Sequence, residues 1–345
     1  MYSRKEILSS IPEHAIPKPA ICIGYGIFLC KLYVWLLVLI LFYGCGNDST
    51  LERDGRIVSV VSVEPHAFLV EQIGGEFVRV EVLVPMGKEP ESYQPTPEKI
   101  IALTRAKVFF RTGMPFEQII LPKLKSFASG LKVVDLRTGI KLRKLEFHQH
   151  DTHDAHDTHE HANSDFDSDS NKNTLPDENE LAEGDPHIWF SLDLLRVEAA
   201  TVLRTFIEID PKNEELYRKN YSDFISELNQ VKEKLSAMLE PIKGKSIFVF
   251  HPTYGYFCDE FNLNQRAIEI GGKTPRPQQL VAIINEIKKN SSQTNKKTTL
   301  FVQPEFNRTP INSVSEAVNG RIVEHSALER NIFKSMTNFA EEITR

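Results

Sequence analysis

Cysteine that could cross-link a folded body is scarce in this sequence. Of four cysteines, Cys22, Cys30 and Cys45 lie inside or beside one apolar N-terminal stretch, which leaves Cys258 without a disulfide partner in the remainder of the chain. An excess of basic charge is also missing: 41 Lys and Arg stand against 47 Asp and Glu, a formal net charge of -6. No broad basic field exists to attract nucleic acid, so nucleic acid is not expected as a partner. Motifs of catalysis are absent too. There is no HExxH pairing of ligands with a general base, no Ser-His-Asp order and no phosphate loop. The glycines of "IGYGIF" fall in the N-terminal apolar region and do not fit a dinucleotide fingerprint. What the chain does have is 345 residues, 41% hydrophobic and 26% charged. That suffices for two ordinary globular domains, each with a core.

The N-terminus has the layout of a secretory signal. In "KLYVWLLVLILFYGCGNDST", Lys31 precedes an apolar run from Leu32 to Tyr43, then come Gly44 and Cys45, then polar sequence. A Cys directly after a small residue resembles a bacterial lipobox, in which that Cys is acylated and becomes the mature N-terminus, although Phe42 and Tyr43 are bulkier than usual there. The alternative is an uncleaved membrane helix, because including Ile21 to Cys30 lengthens the apolar stretch past the roughly 20 residues that span a bilayer. Either reading places the bulk of the protein outside the cytoplasm, tethered to the membrane.

Beyond this stretch, strands and helices alternate. "RIVSVVSV" (56–63) and "FVRVEVLV" (77–84) are β-branched strands flanking an apolar helix that ends in Gly-Gly. Next come helix "TPEKIIALTRA", with Thr96 as N-cap and Pro97 in the first turn, strand "KVFFRT", helix "PFEQIILPKLKSFA" and strand "LKVVDL". From His148 to Gly184 the pattern collapses into His, Asp, Asn, Ser and Glu, a composition unable to bury a core. Two helices follow. The second runs from Asp210-Pro211 to about Glu240 and carries Tyr217, Tyr221, Phe224, Leu228, Val231 and Leu235 on one face. At 1.5 Å per residue such a helix reaches about 45 Å, enough to bridge two lobes. A second alternating set then comprises strands "KSIFVF", "RAIEI", "TTLFVQ" and "RIVEH" with helices between and after them. Alternation of this kind predicts an α/β fold of two lobes, each a mainly parallel sheet flanked by helices, joined by a long helix. The expected division is a signal peptide with lipobox (1–45), a tether (46–55), an N-terminal lobe (56–188) that includes the His-rich insert (148–184), linking helices (189–242) and a C-terminal lobe (243–345).

Open α/β sheets place ligands at the carboxyl ends of their strands. Three metal-capable residues fall there: Glu91 in "PMGKEPESYQPTP", His187 in "GDPHIW" and His251 in "FVFHPTYGYF". Imidazoles with a carboxylate suit zinc or manganese. Singly, a His after a strand is more often a hydrogen-bonded turn residue than a ligand, and a lone Glu in a loop is usually solvated.

Taken together, "VPMGKEPESYQPTP", a His-rich insert, "DPHIW", "DPKNEELYRKN", "FHPTYGYF" and "IGGKTPRPQQL" stand in the order found in the metal-binding substrate-binding proteins of ABC transporters. The chain resembles this zinc and manganese uptake family from about Arg56 to its C-terminus. The resemblance implies two α/β lobes bridged by a rigid helix, with the metal in the cleft between them and an ABC permease as partner. It implies ligand roles for His187 and His251, matching the family's second and third histidines; its first histidine corresponds to Glu91. The family's fourth, acidic ligand corresponds to Ser326, a poor zinc ligand, so the fourth place is open to His66, His325, Glu305 or water. Of these, His66 is the most attractive by position, because its strand end should face the cleft.

The segment "HQHDTHDAHDTHEH" (148–161) holds six of the eleven histidines. Its imidazoles lack rigid supporting partners, which costs affinity, so it suits a metal-gathering or metal-sensing accessory better than the tight site. The leading functional expectation is therefore an extracytoplasmic receptor that captures zinc, with manganese as the lesser alternative, and passes it to a permease without catalysis. A metal-dependent hydrolase and a surface adhesin are the alternatives.

Overall fold

The computed structural model describes residues 55–144, 184–269, 275–291 and 297–345. The signal, the lipobox, nearly all of the tether and the histidines of the insert lie outside the described residues. Among the described residues, no helix is long and apolar enough to cross a membrane.

The first sheet is built from β1 (Ile57–Val61), β2 (Val78–Val82), β3 (Val108–Arg111) and β4 (Lys132–Asp135), in the order β2-β1-β3-β4 and parallel throughout. Its helices are α1 (Glu64–Gly74), α2 (Pro97–Arg105) and α3 (Pro115–Phe127), all with a proline in the first turn, where the missing N–H has no partner to lose. Thr96 precedes α2 as expected, but its side chain makes no capping bond. Gly75 closes α1 with φ +58, a conformation glycine adopts without strain.

Two helices connect the sheets. These are α4 (Leu192–Ile209), capped by Ser191, whose hydroxyl accepts from the Leu194 N–H, and α5 (Glu214–Leu239). Short 3-10 turns at Pro211–Asn213 and Glu240–Ile242 flank the 26-residue α5. The expected stripe on α5 is real: Tyr217, Phe224, Leu228 and Leu235 are buried, while Tyr221 and Val231 pack half-buried against the same core.

The second sheet repeats the first in topology, with β5 (Ser246–Val249), β6 (Asn264–Ala267), β7 (Thr299–Val302) and β8 (Arg321–Glu324) in the parallel order β6-β5-β7-β8. Helices α6 (Gly255–Glu260), α7 (Pro277–Ser291), α8 (Thr309–Val318) and α9 (Ile332–Thr344) accompany it. Strand β6 begins two residues before the expected "RAIEI" and ends at Ala267. Its tail still hydrogen-bonds toward β5, through Ile268 N–H to the Val249 carbonyl and Glu269 N–H to the Phe250 carbonyl. Glu269 is thereby held at the sheet's carboxyl edge.

Alternating residues of β5 feed two cores. Ile247 and Val249 join the large core shared with α4 and α5, and Phe248 joins a smaller one under α7 and α8. The two halves are locked by α5, which packs on α1 and α4 on one side and α9 on the other. Phe224 of α5 stacks on Phe333 of α9 with ring centroids 5.2 Å apart, and Phe68 of α1 meets Phe333 edge-on at 5.6 Å. Apolar contact of this kind makes the bridging helix a rigid spacer between two crevice-bearing sheet ends.

Candidate metal centre

In both sheets the chain runs from the first strand outward to the second, then crosses back past the first to the third. This reversal opens a crevice at the carboxyl ends of the strands. In the second lobe each strand end delivers a site-building residue. His251 follows β5 and Glu269 follows β6. Gln303 and Glu305 follow β7, and Ser326 follows β8. Gln303 holds the backbone of His251: its Nε2 donates to the His251 carbonyl at 2.8 Å and to Thr253 Oγ1 at 3.1 Å, and its Oε1 accepts from the His251 N–H at 3.3 Å. One face of the His251 ring stacks on Phe306, with centroids 4.7 Å apart and planes 20° from parallel.

The first lobe supplies Glu91 from the loop after β2 and His187 from the segment that enters α4. The loop bearing Glu91 is pinned by Tyr93, whose ring meets Phe116 of α3 edge-on at 6.0 Å. His187 is set by Asp185, whose Oδ1 accepts from the His187 N–H at 3.0 Å, and by Thr112, whose hydroxyl donates to the Pro186 carbonyl at 3.3 Å. Tyr256 of the second lobe donates to the Asp185 carbonyl at 2.8 Å, tying this segment across the cleft.

The three candidate residues converge. Glu91 Oε1 lies 2.8 Å from His187 Nε2 and 3.2 Å from His251 Nε2, and the two Nε2 atoms are 3.4 Å apart. The remaining ring nitrogens are also engaged: His187 Nδ1 is 2.7 Å from Asp185 Oδ1, and His251 Nδ1 is 3.0 Å from Glu269 Oε2. A proton on each Nδ1, held by its carboxylate, leaves the Nε2 lone pairs directed at one point. This is the arrangement that orients imidazole ligands on a metal. Among the described residues, Glu91 Oε2 is buried with no hydrogen-bond partner. A cluster of three donors with one orphaned carboxylate oxygen has the chemistry to hold a divalent cation.

Electrostatics agrees. Burial opposes the charged form of His187, yet Asp185 and Glu91 together push its pKa up to about 9. Burial likewise opposes a charged His251, and Glu269 and Glu91 raise it to about 10. Burial alone would raise Glu91, but hydrogen bonds and charge from the two imidazoles hold it well below the usual carboxylate range. The centre is thus strongly cation-seeking, and without a metal it satisfies itself with protons.

The candidates for a fourth position separate cleanly. Glu305 lines the cleft beside Glu91, His187 and His251. His66 does not face it. Instead of sitting on a strand end, His66 lies in the first turn of α1, fully buried, with Nε2 2.8 Å from Glu198 Oε2 of α4 and its ring edge against Trp189. The expectation fails because the chain turns into α1 directly after Ser62 and Val63, carrying His66 into the helix interface. His325 is also turned away, with Nε2 2.9 Å from the Ser335 carbonyl and Nδ1 3.1 Å from the Tyr254 hydroxyl. Burial pushes its pKa down, which suits a neutral ring packed against Phe190 and Phe339.

Asp185, Glu269 and Gln303, which orient the histidines, were not singled out in the sequence. Asp185 stands two residues before His187 in "GDPHIW", and Glu269 stands in "RAIEI" at a strand end, so both are visible as carboxylates near the motifs. Their pairing with particular rings is not.

The family model for the periplasmic zinc-uptake complex component A matches residues 60–344. The high-affinity zinc uptake system protein ZnuA of Yersinia pestis is 27% identical over 265 residues, covering 76% of this chain and 80% of that protein. The manganese ABC transporter substrate-binding lipoprotein PsaA of Streptococcus anginosus is 24% identical over 301 residues, covering 84% and 86%. A crystal structure of ZnuA superposes with a TM-score of 0.71 at 28% identity, covering 84% of this chain and 98% of that one. The chain therefore belongs to the family of the periplasmic zinc-uptake complex component A.

Proposed function

We propose that this protein is an extracytoplasmic solute-binding protein that captures a divalent transition metal, zinc before manganese, on Glu91, His187 and His251 and delivers it to an ABC permease. The observation that carries the reading is the convergence of three donor atoms from two lobes on one point, each histidine backed by its own carboxylate. Two imidazoles to one carboxylate lean toward zinc, while a carboxylate ligand also suits manganese. Relatives named for each metal fit this range. The protein performs no catalysis in this reading: Glu91, His187 and His251 serve as ligands, and Asp185, Glu269 and Gln303 hold the two histidines.

The N-terminal segment tethers the protein, through an acylated Cys45 or an uncleaved helix. Residues 46–55 form the tether. Residues 56–188 form the first lobe with its insert, 189–242 the linking helices and 243–345 the second lobe. The His-rich insert serves as an accessory that gathers metal. Lys144 and Gly184, on either side of residues 145–183, pair in an antiparallel bridge one residue before Asp185, which supports this reading.

The test is metal content and affinity of the puried body, compared among the parent, a variant with His187→Ala and His251→Ala, and a deletion of residues 148–161. The double variant should lose tight binding of one ion, and the deletion should keep it. The reverse pattern would overturn the assignment.

A further inference from the structure

Three donors leave a zinc or manganese ion short of its coordination number, and the cleft wall limits what can complete it. Among the described residues lining the cleft, the side chains with a donor oxygen beyond Glu91 are Thr253, Gln303 and Glu305. Gln303 and Thr253 are hydrogen-bonded to each other and to the His251 backbone. Glu305 is placed differently. It is half-buried, and its charge is felt by both His251 and Glu91. Its neighbour Phe306 stacks on the His251 ring, and the Phe306 N–H bonds the Gln303 carbonyl at 3.2 Å, so the backbone carrying Glu305 is held in fixed relation to His251. Its Oε1 accepts from the Ser326 hydroxyl at 3.1 Å, the carboxylate also takes a hydrogen bond from its own backbone, and the Ser326 hydroxyl in turn accepts from the Leu328 N–H at 3.1 Å.

We propose that Glu305 is the fourth protein ligand of the metal, resting on Ser326 in the metal-free protein and turning to the ion when it binds. This rests on the reading of Glu91, His187 and His251 as ligands. Each lobe then supplies two donors, Glu91 and His187 from the first, His251 and Glu305 from the second. Binding therefore ties the second lobe to the first through a carboxylate as well as an imidazole. The resulting set of two nitrogens and two carboxylates is harder than three donors with water, which narrows the preference for zinc over manganese.

The decisive variant is Glu305→Gln, because a glutamine oxygen still accepts from Ser326 while the carboxylate is lost. Two quantities are read on the full chain: zinc affinity by competition with a chromophoric chelator, and the visible absorption of the cobalt(II)-loaded protein. The expected result is zinc affinity lower by roughly 10- to 100-fold, at least the loss typical of removing an outer partner of a ligand, together with altered cobalt bands. Ser326→Ala, which frees the carboxylate, should bind zinc as tightly as the parent or more tightly. Unchanged affinity in Glu305→Gln, or weaker affinity with unchanged cobalt bands, would overturn the proposal, the second outcome meaning that the charge acts at a distance. Weaker zinc binding in Ser326→Ala would also overturn it. His187→Ala serves as the separate control: if that variant binds like the parent, the metal-site reading itself fails, whereas its loss alongside an unaffected Glu305→Gln rejects only the role of Glu305.

Discussion

His187 Nε2 and His251 Nε2 lie 3.4 Å apart, although the residues are 64 positions distant in sequence and belong to different lobes. Two imidazolium rings at that distance repel each other, and two neutral rings at that distance have lone pairs to share. In the metal-free protein Glu91 Oε1 sits between them; a cation seated there would satisfy all three.

Metal affinity should therefore depend steeply on pH. With His187 raised to about 9 and His251 to about 10 by their carboxylates, both rings also carry the second, Nε2 proton at pH 7 when no metal is bound. Binding expels about two protons, and affinity climbs as pH rises from 6 toward 9. Calorimetry in buffers of different ionisation enthalpy counts the protons. A release near zero at pH 7 contradicts the picture.

Stability of the metal-free protein should run the opposite way. Both folded pKa values lie above the ordinary histidine value of 6.5, so the stabilisation from these protons is complete below about pH 6.5 and is lost as pH rises through 9 and 10. Thermal unfolding of chelator-treated protein at pH 6 and pH 9.5 should show the lower midpoint at the higher pH, and added zinc should shrink that difference.

Asp185→Asn should weaken zinc binding by about 10- to 100-fold without unfolding the protein. The amide can still accept from the His187 N–H and Nδ1–H, but it no longer offers a negative charge to the ring. Circular dichroism would report the fold and chelator competition the affinity.

His66→Ala should leave one tight metal site and lower stability. Its partner Glu198 is fully buried, and burial raises the pKa of that carboxyl, which His66 counteracts. Losing one partner of such a pair costs about 3–5 kcal/mol, lessened where the carboxyl takes up a proton. Denaturant unfolding gives the cost. Loss of the metal site from a still-folded variant would restore His66 as a ligand.

The lobes should owe their joint rigidity to apolar contact more than to charge. Arg330 pairs with Glu64 and, at 2.6 Å, with Glu71, but its side chain is 39% exposed, so Arg330→Ala should cost less than about 1 kcal/mol. Phe333→Ala removes the stack on Phe224 and should cost about 3–5 kcal/mol in the same unfolding experiment.

Much of this molecule was legible from local sequence because local chemistry dictates it. The β-branched runs became parallel strands, prolines opened the helices, and the stripe from Tyr217 to Leu235 became the buried face of α5. Glu91 and His251 could be picked out by the same logic, since strand-end position is readable from the strands themselves, while His187, between the insert and α4, stood out by its motif "DPHIW". What only the tertiary structure decided is which side chains meet. Position after β1 favoured His66 as a ligand, yet packing of α1 on α4 gave it Glu198 as a partner, while Glu305 came to the cleft wall. Asp185 met the His187 ring through the turn that enters α4, and Glu269 met the His251 ring from the carboxyl edge of the second sheet. Periodicity in a sequence reports which face of an element is apolar. The distance between a carboxylate and an imidazole is set by how whole elements pack, and no local pattern encodes it.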